Sequence, residues 1–309
     1  MTTAPTTPTP TADSAPEQRA WLPLAAVATT LVFWASAFVA IRHLGADFSA
    51  GALSLGRLLV GALVLTALAL GTTRGRLVRP TPREWGSIAL IGALWFGIYN
   101  VALNEGETRV DAGTAAMLIQ LSPVLIAVLA AAFLDERFSA ALGLGLGLAF
   151  GGVALISIGT REASGADVLG VVLCLLAAVT YAISLTLQKP LVARLPSIQV
   201  TWLACTVGAL VCLPFLPDLV REGADAPASS IGWVVYLGVF PTAVAFTTFA
   251  FALRHMSASD LGVTTYLVPP ITILMGWALL GETPPALAYV GGALALLGVA
   301  VARRRPQPR

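Results

Sequence analysis

Residues Gly113–Glu136 read GTAAMLIQLSPVLIAVLAAAFLDE. The segment is apolar and long enough to cross a bilayer as a helix. Pro123 lies near its middle and Glu136 at its far end. Residues Ser259–Glu282, SDLGVTTYLVPPITILMGWALLGE, follow the same plan. Pro123 precedes Glu136 by 13 residues, Pro269 precedes Glu282 by 13, and adding 146 carries any position of the first stretch onto its partner. Such an internal echo predicts a duplicated helical bundle with a path for a solute between its halves.

The composition places that echo in a membrane. Of 309 residues 57% are apolar and 11% charged, with mean hydropathy +0.84, against roughly 25% charged in soluble domains. A net charge of +2 gives no reason to expect nucleic acid as a partner. Cys174, Cys205 and Cys212 fall inside apolar runs, where a thiol acts as a small apolar group; neither disulfide nor zinc spacing is present. His43 and His255 stand alone, so no metal and no cofactor is expected.

Residues 1–20, rich in Thr, Pro and Ala, read as a disordered cytoplasmic tail. Ten apolar runs follow, at about 22–41, 51–70, 85–104, 113–134, 140–159, 168–188, 198–216, 231–252, 259–280 and 286–302. Each approaches the ~20 residues a spanning helix needs, and a lipid-exposed backbone has to satisfy its own hydrogen bonds, which makes them helices. With the N-terminus cytoplasmic, the inner segments carry 13 Lys or Arg and the outer loops 4, a positive-inside bias that also puts the C-terminus in the cytoplasm. Five spans per half is an odd number, so the second half enters from the opposite side. The expected architecture is therefore all-α, ten transmembrane helices as two inverted five-helix repeats, at 21–160 and 161–303, with a basic tail at 304–309. Further echoes support the repeat: Trp34-Ala35 with Tyr181-Ala182, and Gly145 and Gly152 with Gly291 and Gly298.

FWASAFVAIRHL in the first span, LGRLLVGALVL in the second, LSPVLIAVLAAAFLDERFS and LVPPITILMGWALLGETPP together resemble the EamA branch of the drug/metabolite transporter superfamily, with two EamA repeats. The resemblance covers roughly residues 22–302. It implies an inner-membrane carrier with a central cavity between the repeats, whose relatives mostly export amino acids, other small metabolites or drugs. The turn ALRHMSA at Ala252–Ala258 fits the family's pattern; its first-half counterpart, NEGETRVDAG, is unusually acidic. Proton antiport is favoured by the resemblance alone.

The candidate substrate-binding residues are polar or aromatic positions inside the spans. Arg57 is the single charge within a run; it either meets an anionic group or ties down a helix end. Gln120 and Tyr266 occupy equivalent places three residues before Pro123 and Pro269. Each proline removes one backbone hydrogen bond and kinks its helix, which makes the carbonyls of Ile119 and Thr265 available to a ligand. Trp95, Tyr99 and Asn100 in the third span, Trp34 in the first, Tyr181 in the sixth and Thr247 in the eighth supply aromatic walls and polar groups without a buried acid. That set suits an amino acid-like or moderately apolar solute. Glu105, at the outer mouth, is the nearest candidate for ion coupling. Glu136 and Glu282 are expected to cap the helix that follows each. Gly143, Gly147 and Gly151 form a small-residue ridge, read as packing against the tenth span or as the face of a homodimer; both monomer and homodimer fit. No phosphate loop or catalytic constellation is present, so the expected function is a secondary transporter, with a membrane enzyme or an assembly or receptor protein as the alternative.

Overall fold

The computed structural model of the chain describes residues 21–72, 77–109, 118–160, 167–280 and 286–302. The long elements are α1 (Trp21–Leu44), α2 (Ala50–Thr72), α3 (Pro82–Glu107), α4 (Ser122–Phe133), α5 (Ala140–Thr160) and α6 (Val168–Arg194). They continue with α7 (Ser197–Val211), α8 (Leu216–Asp225), α9 (Ala228–His255), α10 (Ala258–Thr264), α11 (Val268–Leu280) and α12 (Ala286–Ala302). Among the described residues all regular structure is helical.

Five of these helices, α1, α2, α3, α6 and α9, are long and apolar enough to cross a membrane. Residues Ser197–Val211 and Leu213–Asp225 make a sixth, bent by 52°, and shorter apolar helices follow at Ser122–Phe133, Ala140–Leu155 and Tyr289–Ala302. Apolar side chains also point outward: Leu63 and Phe133 are 72% and 73% exposed, a surface suited to lipid rather than water. The chain is an all-α multi-pass membrane protein.

Local sequence sets the helix ends. Thr81 and Glu84 form a capping box with Pro82 in the first turn of α3. Asp167 accepts from the Leu169 amide at the start of α6, and Ser139 accepts from Leu142 before α5. The seventh apolar run, expected to continue to residue 216, stops at Val211. Pro214 and Pro217 lack the donors that would continue it, and α8 leaves at the 52° bend. Asp218 and Glu222 thus lie on a helix, where Glu222 accepts from Ser49 N and Oγ before α2. The beginning of the fourth run, and Glu282, lie outside the described residues.

The repeat is written into the irregularities of the backbone. A π-helical segment interrupts α3 at Gly92–Ile98 and another interrupts α9 at Gly238–Val244, 146 residues later. Before Pro123 the chain tightens into a turn at residues 120–121, and before Pro269 into a 3₁₀ turn at Thr265–Leu267. The halves interleave at these places. A Cβ on Gly92 would sit 2.6 Å from Ala204 O of α7, and one on Gly208 would sit 2.3 Å from Phe96 Cβ. The inverse crossing joins α9 to α2: a Cβ on Gly238 would lie 2.5 Å from Val60 Cβ, and one on Gly61 2.7 Å from Thr242 Cγ2. Each repeat therefore lends its π-bulged helix to a helix of the other.

Helices α5 and α12 also pack closely, but through Gly145, Gly152 and Gly298 rather than the expected Gly143/Gly147/Gly151 ridge. A Cβ on Gly152 would come within 2.5 Å of Gly291 O and Ala295 N, whereas Gly147 has nothing within 4 Å. The ridge instead opens on an apolar groove of ≈ 280 Å³ lined by Leu121, Val124, Phe138, Gly143, Leu146, Gly147 and Phe150. The sequence offered two glycine rows on α5; only the contact with α12 selects one.

Gly208→Ala should lower stability by about 1–3 kcal/mol through overpacking, while Gly147→Ala should stay within about 0.5 kcal/mol of the parent. Thermal unfolding of the two variants in detergent checks the contrast.

Candidate functional site

The π-segments leave carbonyls without their helical donors, and side chains supply replacements. Asn100 Nδ2 donates to Trp95 O at 3.2 Å and Phe96 O at 2.9 Å. In α9, Thr242 Oγ1 donates to Leu237 O at 2.8 Å and accepts from Arg57 Nε at 3.1 Å. Asn100 is thus committed to the backbone of its own helix. Arg57 is buried, and its hydrogen bond to Thr242 ties α2 to α9 across the repeats; among the described residues no carboxylate forms an ion pair with it. Tyr99 and Cys205 lie within its electrostatic reach.

Around this irregular layer the aromatic residues meet. Trp95 stacks on Tyr181 with ring centroids 4.9 Å apart. Trp34 makes edge contacts with both, at 6.3 Å each, and Tyr99 meets Tyr181 at 6.1 Å. Phe246 lies 4.9 Å from Trp95, and Phe249 4.8 Å from Trp34. Four helices, α1 and α3 of the first repeat and α6 and α9 of the second, each contribute. Trp95 and Tyr181 are buried, whereas Trp34 and Tyr99 are only partly so, which leaves the cluster an accessible face. Edge and offset ring contacts of this kind are each worth about 0.5–1.5 kcal/mol beyond area burial.

The structure brings Trp34, Trp95, Tyr99 and Tyr181 together as expected residues of one site and adds Phe246 and Phe249, which the sequence reading passed over. Their spacing of three on a helix was the available signal; a Phe in an apolar run carries no other mark. Thr247 is half-buried on α9, its hydroxyl bonded to Ala243 O.

Both proline-freed carbonyls are occupied by protein. Ser122 Oγ donates to Ile119 O, and Gln120 Nε2 crosses the repeat interface to donate to Thr265 O at 3.1 Å. The expectation that these carbonyls await a ligand is corrected: two polar side chains, one and three residues before Pro123, reach both of them first. Gln120 and Tyr266, equivalent by repeat, do different things. Tyr266 is fully buried in a second apolar cluster with Ala127, Leu146, Ala149 and Val299, and its hydroxyl has no hydrogen-bond partner.

Glu105 lies half-buried at one end of the bundle, paired with Arg109, which also bonds Asp167. The Leu169 amide first, and then Arg109, hold the Asp167 carboxyl below its usual range. At the other end, Glu136 caps a helix, though not the one that follows it. Asp135 takes a left-handed φ of 54°, which ends α4 and turns Glu136 towards the second repeat. There Glu136 accepts from Ala258 N at 2.6 Å, Ser259 N at 3.0 Å and Ser259 Oγ at 2.7 Å. Ser139 serves α5 instead, which leaves the carboxylate free for the more distant helix. Lys189, a residue the sequence reading used only as an inside charge, donates to Leu253 O and Met256 O at the end of α9.

The model of the EamA-like transporter family matches residues 21–158 and 168–304. The chain is 40% identical to a protein of Streptantibioticus cattleyicolor named a probable terminal-alkyne amino-acid exporter, over 91% of this chain and 93% of that one. It is 32% identical to the uncharacterized transporter YdfC of Bacillus subtilis, over 86% of each. A crystal structure superimposes with a TM-score of 0.75 at 22% identity, covering 91% of this chain and 96% of the other; it shares the fold.

Replacing Ser122 by Ala or Gln120 by Leu should leave a buried carbonyl unpaired and cost about 1–3 kcal/mol each. The loss should appear as a lower unfolding temperature, with Tyr266→Phe, which removes an unpartnered hydroxyl, close to the parent or above it.

Proposed function

The chain belongs to the EamA-like transporter family, and on that premise we propose that it exports an amino acid-like solute with an apolar side chain. The aromatic cluster between the repeats carries the reading. Trp34, Trp95, Tyr99 and Tyr181 offer ring faces to an apolar tail and to an ammonium group. The name of the Streptantibioticus relative, a probable terminal-alkyne amino-acid exporter, supports the same class.

Arg57 and Gln120 serve this site by joining the repeats around it, Arg57 through Thr242 and Gln120 through Thr265 O. Asn100 holds the π-segment that presents Trp95. The solute moves by alternating access: two interleaved repeats of opposite sense give two related ways of closing around one site. Both termini lie in the cytoplasm, as the distribution of arginines indicates, and the Glu105–Arg109–Asp167 group then marks the outer mouth. A coupling acid has to be hidden from solvent in some state of the cycle. Glu105 is half-buried and already paired with Arg109, and we assign the coupling step to no residue.

In proteoliposomes, L-propargylglycine, norvaline and leucine should move faster than glutamate or a polyamine. Trp34→Ala and Tyr181→Ala should each reduce that flux at least roughly tenfold, the effect of about 1.4 kcal/mol, with expression retained. The lipid-facing variant Leu63→Ala should transport as the parent does. Equal flux in all four proteins would overturn the aromatic site.

A further inference from the structure

Beyond Tyr181, α6 carries two more buried polar atoms that meet no partner. Ser184 is 0% exposed and Gln188 1%, and neither Ser184 Oγ nor Gln188 Oε1 has a hydrogen bond. Tyr181 Oη likewise has no partner at hydrogen-bond distance, although the Thr265 side chain lies close to it. The intervals of three and four residues put all three side chains on one face of α6, the face on which Tyr181 meets the aromatic cluster. A buried polar atom without a partner is destabilising, because it has given up water and gained no bond in return. Three in a row, directed along one line, are a poor way to build a permanent core. They are a reasonable way to line a path that is shut in this conformation and wet or occupied in another.

The line runs from the aromatic cluster towards the end of α6 where Lys189 stands, and that end is braced. Glu136 of the first repeat holds the start of α10, and Lys189 of α6 holds the last carbonyls of α9. The two charges are within electrostatic reach of each other. Both grip the single turn, Met256–Ser259, that joins α9 to α10. Helix α9 carries Phe246 and Phe249 of the cluster, and α10 leads to Thr265, whose carbonyl Gln120 holds. The brace therefore fixes α9 and α10, both of which pack on α6.

We propose that Ser184 and Gln188 form a second solute subsite, one and two turns along α6 from Tyr181, which hydrogen-bonds the polar head of a zwitterionic solute, and that the Glu136–Lys189 brace shuts it in this conformation. This rests on the transport reading above for the identity of the solute, and not for the existence of the path. Ring faces hold the apolar part at Tyr181, and neutral oxygens receive the head beyond it. Release of the Met256–Ser259 turn separates α9 and α10 from α6 and admits solvent to the stripe.

The test is thiol accessibility in the full chain, with Cys174, Cys205 and Cys212 replaced by alanine. Ser184→Cys and Gln188→Cys are treated in membrane vesicles of both orientations with a membrane-impermeant ethylammonium thiosulfonate. With the brace intact, labelling should be slow. Adding Glu136→Ala or Lys189→Met should speed it at least roughly tenfold, from the vesicle face at which Lys189 lies. L-propargylglycine should slow the labelling of Ser184→Cys in the Glu136→Ala chain. Failure of both cysteines to label in both brace variants, with each protein monodisperse and helical, would overturn the path and return the stripe to core packing. Equal rates with and without the brace would overturn the brace. Labelling without protection, by an amino acid that the flux assay shows to be carried, would overturn the subsite. If no amino acid is carried but labelling follows the brace, the exporter reading fails and the path stands.

Discussion

Helices of opposite repeats cross closely at glycines, and the remaining structure depends on these crossings. Gly92 and Gly208 let α3 press on α7, and Gly238 and Gly61 let α9 press on α2, at distances where a single Cβ would collide with a neighbouring chain atom. In lipid there is no hydrophobic drive to bring helices together, so van der Waals contact between smooth helix faces and a few interhelical hydrogen bonds have to do it. Crossings between repeats, rather than within them, make one interleaved bundle. They also place the two π-segments, and with them the aromatic layer, at the centre.

A membrane interior punishes every unpaired polar group, and at four backbone irregularities the chain meets this with a nearby side chain. Asn100 serves the π-segment of α3, Thr242 that of α9, and Ser122 and Gln120 the carbonyls freed by Pro123 and Pro269. Two of these repairs, those of Thr242 with Arg57 and of Gln120 with Thr265, bridge the repeats. The polar atoms left unpaired, on Tyr181, Ser184, Gln188 and Tyr266, stand out against that economy, three of them on a single face of α6. Local irregularity and repeat interface thus coincide: helices that depart from ideal geometry free groups that side chains of the same or the other repeat take up.

Symmetry in the sequence does not become symmetry of role. Gln120 and Tyr266 share a repeat position, yet Gln120 spans the interface while Tyr266 fills a cluster against α5 and α12. Trp34 and Tyr181 share another, and both enter the aromatic layer. The difference follows from side-chain length and chemistry at each site: an amide needs partners at both ends, whereas a phenol ring is satisfied largely by apolar contact.

Much of the fold was legible in the sequence, because lipid simplifies the code. Apolar runs of spanning length have to be helices, the run order and the 146-residue echo impose a duplicated bundle, and an odd number of spans inverts it. The individual aromatic positions Trp34, Trp95, Tyr99 and Tyr181 were visible as well, since a polar or aromatic residue inside such a run is conspicuous. Their meeting was not, nor was the choice of Gly145 and Gly152 over the neighbouring ridge, nor the reach of Glu136 to α10 and of Lys189 to α9. Each of these is a contact between segments far apart in the chain, fixed by the rotation of one helix against another. Composition and period say which residues lie in the membrane; only packed helices, with their rotations set by glycine crossings, decide which of them face each other.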